Sequence, residues 1–203
     1  GNTKFIKGYP RTYYMIEGID KSFESLILFG YHAPAGIAGN MDHTYSSSSF
    51  YSIEINGKTV SEACINAMFA IQYDVPLQFV YADNITAKWL HENVSEKITV
   101  LESKKAISRY AAEIPSQQEI LEKLYKAGAK LSSNPKYFYP KSEKYSCKIQ
   151  LMDTNIGYAC GMVPGIEMLD ARTVKFESDN MMGLYKYLMT LFMVASSVKN
   201  LYK

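Results

Sequence analysis

The stretch from Val60 to Ile71 constrains this chain more than any other. Apolar residues at 60, 63, 64, 67, 68 and 71 have the spacing of one helical face, and Ile65 and Phe69 add apolar surface on the opposite side. A helix of that kind has to be covered on both faces. Strand-like runs flank it: Phe50 to Ile55, closed by the tight-turn pair Asn56-Gly57, and Val75 to Tyr81. The alternation is that of an α/β fold.

The same reading extends along the chain. It predicts a strand at Thr3 to Lys7, a short helix from Arg11 to Ile19, and a buried central strand at Ser25 to Phe29 ending in Gly30. A helix follows at Ile85 to Glu92 and a strand at Ile98 to Leu101. Pro115 to Glu119 opens a helix reaching about Lys130, and Ser132 to Lys144 is a polar, proline-containing connection. Beyond it come a strand near Lys148 to Met152, an irregular stretch to Gly165, a strand at Thr173 to Phe176 and a last helix from about Asp179. The expected fold is α/β, a mostly parallel or mixed sheet with helices on both faces and a C-terminal α+β portion. Residues 1–131 would carry the α/β part and 145–203 the C-terminal part, packed as one compact unit.

With 203 residues, 47% hydrophobic and 21% charged, the chain has enough apolar material for a real core. Its 22 basic and 20 acidic residues are spread along the sequence, so no basic arm is present to neutralise a phosphate backbone, and nucleic acid is not an expected partner. Cys64, Cys147 and Cys160 form no CxxC pair and fall in segments that read as buried, the pattern of reduced cysteines in a cytoplasmic protein. The most apolar window, Met181 to Val198, is interrupted by Lys186 and reads as a core helix; no membrane association is expected.

Chemistry is concentrated in the stretch from Tyr31 to Glu62, which holds two of the three histidines. His32 follows the apolar run ending at Gly30, and open α/β sheets bind ligands outside the carboxyl ends of their strands. His43 lies in a polar loop between Asp42 and Thr44. Metal sites that hydrolyse amides need imidazole and carboxylate ligands, an open position and a group that moves protons, and His32, His43 and Glu62 can supply these. Their spacing matches no local zinc motif. Each also has an ordinary explanation: a core histidine for His32, a surface residue for His43, whose ring could equally be a proton shuttle, and for Glu62 a capping box, Thr59-Val60-Ser61-Glu62, with Thr59 as N-cap. Asp83 is either a functional acid after its strand or a turn residue. Lys104, Lys105 and Arg109 are either a carboxylate-binding group or a solvated face. His91, in an amphipathic helix, stays outside the site.

Gly30-Tyr31-His32-Ala33-x-Ala35, Met41-x-His43-Thr44, Asn56-Gly57-x-x-Val60-x-Glu62, Val75-Pro76 with Asp83, Lys104-x-x-Ile107-Ser108-Arg109 and Val163-Pro164-Gly165-x-Glu167 together resemble the M55 family of zinc D-aminopeptidases, the DppA type. The resemblance implies that His32 and Glu62 are zinc ligands, that His43 is the catalytic histidine that attacks or deprotonates, and that the complete site holds two zinc ions. It also implies a short peptide substrate, with an N-terminal residue of D configuration, and a large ring-like homo-oligomer. Two features depart from the family: Ala82-Asp83 stands where Gly-Asp is usual, and the N-terminal part, with an Asp-x-Glu motif and a further histidine ligand, has no counterpart. Because the chain starts at Gly1, the expectation is a fragment of a longer enzyme; the alternative is a short relative that kept the scaffold as a non-catalytic oligomeric or binding protein.

Overall fold

The structure is a computed structural model, and it describes residues 3–133 and 136–201. In chain order the main elements are β1 (Leu26–Tyr31), β2 (Phe50–Ile55), β3 (Lys58–Thr59), α1 (Glu62–Ala70), β4 (Leu77–Ala82), α2 (Asn84–Asn93), β5 (Val100–Glu102), β6 (Lys105–Ser108), β7 (Ala111–Glu113), α3 (Gln117–Ala129), β8 (Tyr145–Leu151), α4 (Thr154–Gly161), β9 (Glu167–Asp170), β10 (Thr173–Ser178) and α5 (Met181–Leu201). Among the described residues they form a mixed α/β fold with three sheets. A parallel sheet has the order β1-β4-β5, an antiparallel sheet the order β3-β2-β8-β10-β9, and β6-β7 is a separate hairpin.

The helix predicted from Val60 to Ile71 is α1, followed by a single 3-10 turn over Ile71–Tyr73. Every residue of α1 is buried, as its two apolar faces require. It lies against β1 and against α5, whose Met181, Leu184, Tyr185, Leu188 and Leu191 are completely buried. By length and composition alone α5 would suffice to cross a membrane. Here those side chains close the core.

Several local expectations change. Residues 3–7 form no strand, and Arg11 to Ile19 contributes only one 3-10 turn, Tyr14–Ile16. Its apolar residues serve tertiary packing: the Tyr13 ring lies 4.7 Å from that of Phe69 and 6.1 Å from that of Tyr185. The buried central strand is β4, with all six residues buried, rather than β1. β1 lies at the edge of its sheet, and Ile27 and Phe29 are 45% and 62% exposed. Successive strand residues face opposite sides, so an apolar run is buried throughout only if both sides are covered, which the run itself does not specify. The irregular stretch after Met152 contains α4, started by Asp153, whose carboxylate accepts from the Ile156 backbone N–H at 2.9 Å.

In the connection from Ser132 to Lys144, Asn134 and Pro135 lie outside the described residues. Tyr137 exchanges two backbone hydrogen bonds with Leu77 at the start of β4, 2.9 and 2.7 Å. β8, beyond the connection, pairs with β2 along Phe50 to Ile55, so the segments on either side of the connection share one sheet. The three cysteines are free and buried.

Candidate metal centre

β1 ends at Tyr31, and the chain leaves the sheet into a loop that carries His32 at its start and His43 near its end. Glu62 enters from the first residue of α1. The three side chains converge. His32 Nε2 and His43 Nε2 each lie 3.8 Å from Glu62 Oε1. The two imidazoles are stacked, with centroids 3.9 Å apart and planes 16° from parallel. Glu62 is 5% exposed, while both histidines are partly open to solvent.

The capping-box reading of Glu62 is overturned. Ser61, not Thr59, is the N-cap of α1, and its hydroxyl accepts from the Cys64 backbone N–H at 3.4 Å. Glu62 is therefore released from capping. Its Oε1 accepts from the Tyr45 backbone N–H at 2.6 Å, which ties the carboxylate to the loop bearing His43.

Backbone carbonyls fix the two rings. His32 Nδ1 lies 3.2 Å from Ala33 O, and His43 Nδ1 lies 2.6 Å from Met41 O. A carbonyl only accepts, so each Nδ1 carries a proton, and in the neutral ring each Nε2 then presents a bare lone pair. Burial holds the His32 imidazole below the ordinary histidine range, against the opposing pull of Glu62 and with a further downward push from His43. With both rings neutral, two Nε2 lone pairs and a buried carboxylate oxygen face one another. Such a set suits a cation, and nitrogen or oxygen atoms sharing one tetrahedral zinc stand about 3.4 Å apart. All three donor atoms lie within 4.8 Å of one another, so the residues present fit a metal ion.

The other candidates do not join the three-residue cluster. Asp83, fully buried, caps α2: one carboxylate oxygen accepts from the backbone N–H groups of Ile85 and Thr86 at 2.9 and 3.0 Å, and the other from the Thr86 hydroxyl at 2.8 Å. The turn reading is the correct one. Arg109 is engaged by a carboxylate of the chain itself, with Nη1 3.5 Å from Asp42. Lys104 and Lys105 lie outside the cluster, and His91 bonds to Ile98 O at 2.9 Å in a different part of the molecule.

Behind the centre is a polar group that no local pattern announces. Asn66, fully buried one turn along α1 from Glu62, donates to the Tyr31 hydroxyl at 2.6 Å and accepts from the Tyr185 hydroxyl at 3.0 Å. Burial pushes both phenols well above the ordinary tyrosine range, so both remain hydrogen-bond donors. The sequence signal available was an asparagine on the inner face of a helix that is otherwise apolar. Such a group has to be satisfied by partners from other elements.

An α/β scaffold that brings two imidazoles and a buried carboxylate together past the end of a strand has the donor set that metal-dependent hydrolases use. The model of the peptidase M55 family, D-aminopeptidase, matches residues 1–190, and the chain belongs to that family of metallo-aminopeptidases. It is similar to a D-aminopeptidase of Bacillus subtilis (strain 168), with 29% identity over 191 residues that cover 92% of this chain and 68% of the relative. It also superposes on the structure of the Zn-dependent D-aminopeptidase DppA from Bacillus subtilis, a self-compartmentalizing protease, with a TM-score of 0.87, 27% identity, and coverage of 94% of this chain and 70% of the other.

Proposed function

We propose that this protein is a zinc-dependent aminopeptidase that removes an N-terminal residue of D configuration from short peptides. The observation that carries this reading is the convergence of His32 Nε2, His43 Nε2 and Glu62 Oε1, all acceptors, within a chain of the D-aminopeptidase family. His32 and Glu62 would hold the metal. When bound, zinc supplies Lewis-acid polarisation of the scissile carbonyl and lowers the pKa of a water molecule. His43, with its Nδ1 proton held by Met41 O, offers Nε2 as the base that takes a proton from the attacking water and returns it to the leaving amine. Glu62, held by the Tyr45 N–H, keeps its carboxylate aimed at both rings.

A second reading rests on a specific observation: His43 Nε2 is as close to Glu62 as His32 Nε2 is, so His43 would be a third ligand instead of the base. Zinc content of His43→Ala separates the two. Retained zinc with lost turnover supports the base; lost zinc supports the ligand. The reading as a whole is tested by hydrolysis of D-Ala-D-Ala and D-alanyl p-nitroanilide, each against its L counterpart, with metal content measured on the same sample. Absence of both turnover and bound metal refutes it.

Self-association is part of the proposal, supported by the self-compartmentalizing description of the similar DppA structure. A cytoplasmic location is proposed from the three buried free thiols, which a reducing compartment preserves.

A further inference from the structure

His43 lies between two residues that adopt left-handed backbone without being glycine, Met41 and Tyr45, each at φ +59°. Such conformations are uncommon for these residue types, and they gather where a site needs a particular backbone direction. For Tyr45 the result is its N–H bond to Glu62. For Met41 it is the carbonyl that meets His43 Nδ1 at 2.6 Å. Free imidazole side chains favour the proton on Nε2, so the Nδ1–H form has to be imposed by a fixed acceptor.

What fixes that acceptor comes from a distant part of the chain. The Met41 backbone N–H donates to Arg109 O at 2.8 Å, in the turn of the β6-β7 hairpin. The side-chain nitrogen of Asn40, a residue only 7% exposed, lies 3.3, 3.1 and 3.5 Å from the carbonyl oxygens of Ser108, Arg109 and Ala111. Asp42 takes the Arg109 guanidinium on one oxygen and the Gly36 backbone N–H on the other, at 3.5 and 3.0 Å. Residues 40, 41 and 42 are thus each tied to the same hairpin turn, and Asn40 is the only one whose buried side chain does nothing else.

We propose that Asn40 is a positioning residue for His43. By anchoring the loop to the 108–111 turn it keeps Met41 left-handed, and through the Met41 carbonyl it sets the tautomer and aim of the His43 ring. Its consequence for turnover rests on His43 being the proton-moving group; the tautomer itself is readable without substrate.

The test is a magic-angle-spinning nitrogen-15 spectrum of the zinc-loaded protein labelled at its histidine rings, in neutral form at about pH 8. The chain has three histidines, and His43 is assigned from its loss in His43→Gln. Wild type is expected to show His43 with Nδ1 protonated and Nε2 unprotonated. Asn40→Ala is expected to add an Nε2-protonated population of His43, with His32 unchanged, zinc content unchanged, and kcat down about tenfold at constant KM, as for loss of an outer support to a reacting group. If Asn40→Ala does not fold, Asn40→Ser, which keeps a short donor, should show the same change in smaller degree. A protonated Nε2 on His43 in wild type, or a wild-type ring pattern in the Asn40 variants whatever their kcat, overturns the proposal. A protein with the expected ring pattern but no peptidase activity leaves the positioning intact and refutes only the proposed reaction.

Discussion

The carbonyl oxygen of Ala33 lies 3.2 Å from His32 Nδ1 and 3.3 Å from the backbone nitrogen of His43, so one acceptor ties together two histidines that are eleven residues apart in the chain. Through it the orientation of the His32 ring and the position of the His43 backbone are linked. The stacked rings and their shared approach to Glu62 follow from that link. Substitutions at the centre should therefore separate into those that remove a metal donor and those that remove a base.

His43→Ala removes the base and leaves His32 and Glu62 in place. Turnover should fall by roughly 10²–10⁴, the usual contribution of a positioned proton-transfer group, while zinc per chain and the thermal midpoint stay near wild type. Steady-state kinetics, elemental analysis and calorimetry on one preparation check this.

Glu62→Gln should move metal affinity and metal-free stability in opposite directions. The amide oxygen still accepts the Tyr45 N–H, and the change removes a buried carboxylate from beside the two rings, so the metal-free variant should be as stable as wild type or more so, by about 1 kcal/mol. Zinc retention should nevertheless be lost. Thermal unfolding in chelator, beside zinc content after dialysis, measures both.

Removing the metal from the wild-type protein should lower its stability by mass action. At free zinc about 100 times its Kd, the bound ion contributes about 2.7 kcal/mol, which for a chain of this size is roughly 5–10 °C in thermal midpoint. Chelation should produce that drop, and added zinc should reverse it. A midpoint insensitive to both would argue against metal at this centre.

Asp83→Ala should damage the fold before the chemistry. It removes the cap of α2 and leaves the Ile85 and Thr86 N–H groups and the Thr86 hydroxyl without their acceptor, at a cost of about 2 kcal/mol, or roughly 4–8 °C. Zinc binding by the folded fraction should be unchanged. Denaturant titration with metal analysis distinguishes this from a direct role.

Light scattering on the purified protein should return a mass several times the 23.0 kDa of one chain. A single-chain mass over a wide concentration range would remove self-association from the proposal.

The sequence by itself determined the elements whose cause is local. The double-sided spacing of Val60 to Ile71 specified a helix buried all round, Asn56-Gly57 specified the β2-β3 turn, and the run ending at Gly30 placed His32 just beyond a strand. Where two local patterns competed it left the choice open. Thr59 and Ser61 are both capable caps, and only the packed position of Glu62 against the His43 loop shows that Ser61 serves and Glu62 is free for the site. The exposure of Ile27 and Phe29 on β1 is likewise a matter of which faces other segments cover. The family resemblance had singled out His32, His43 and Glu62, but the meeting of their donor atoms was decided by tertiary structure. Three acceptor atoms from the end of β1, a loop and the start of α1 come within 4.8 Å of one another because sheet pairing, the burial of α1 and the hairpin turn at Arg109 position those elements independently. Capping and periodicity act over three or four residues, whereas a metal site draws on contacts between segments that no local spacing records.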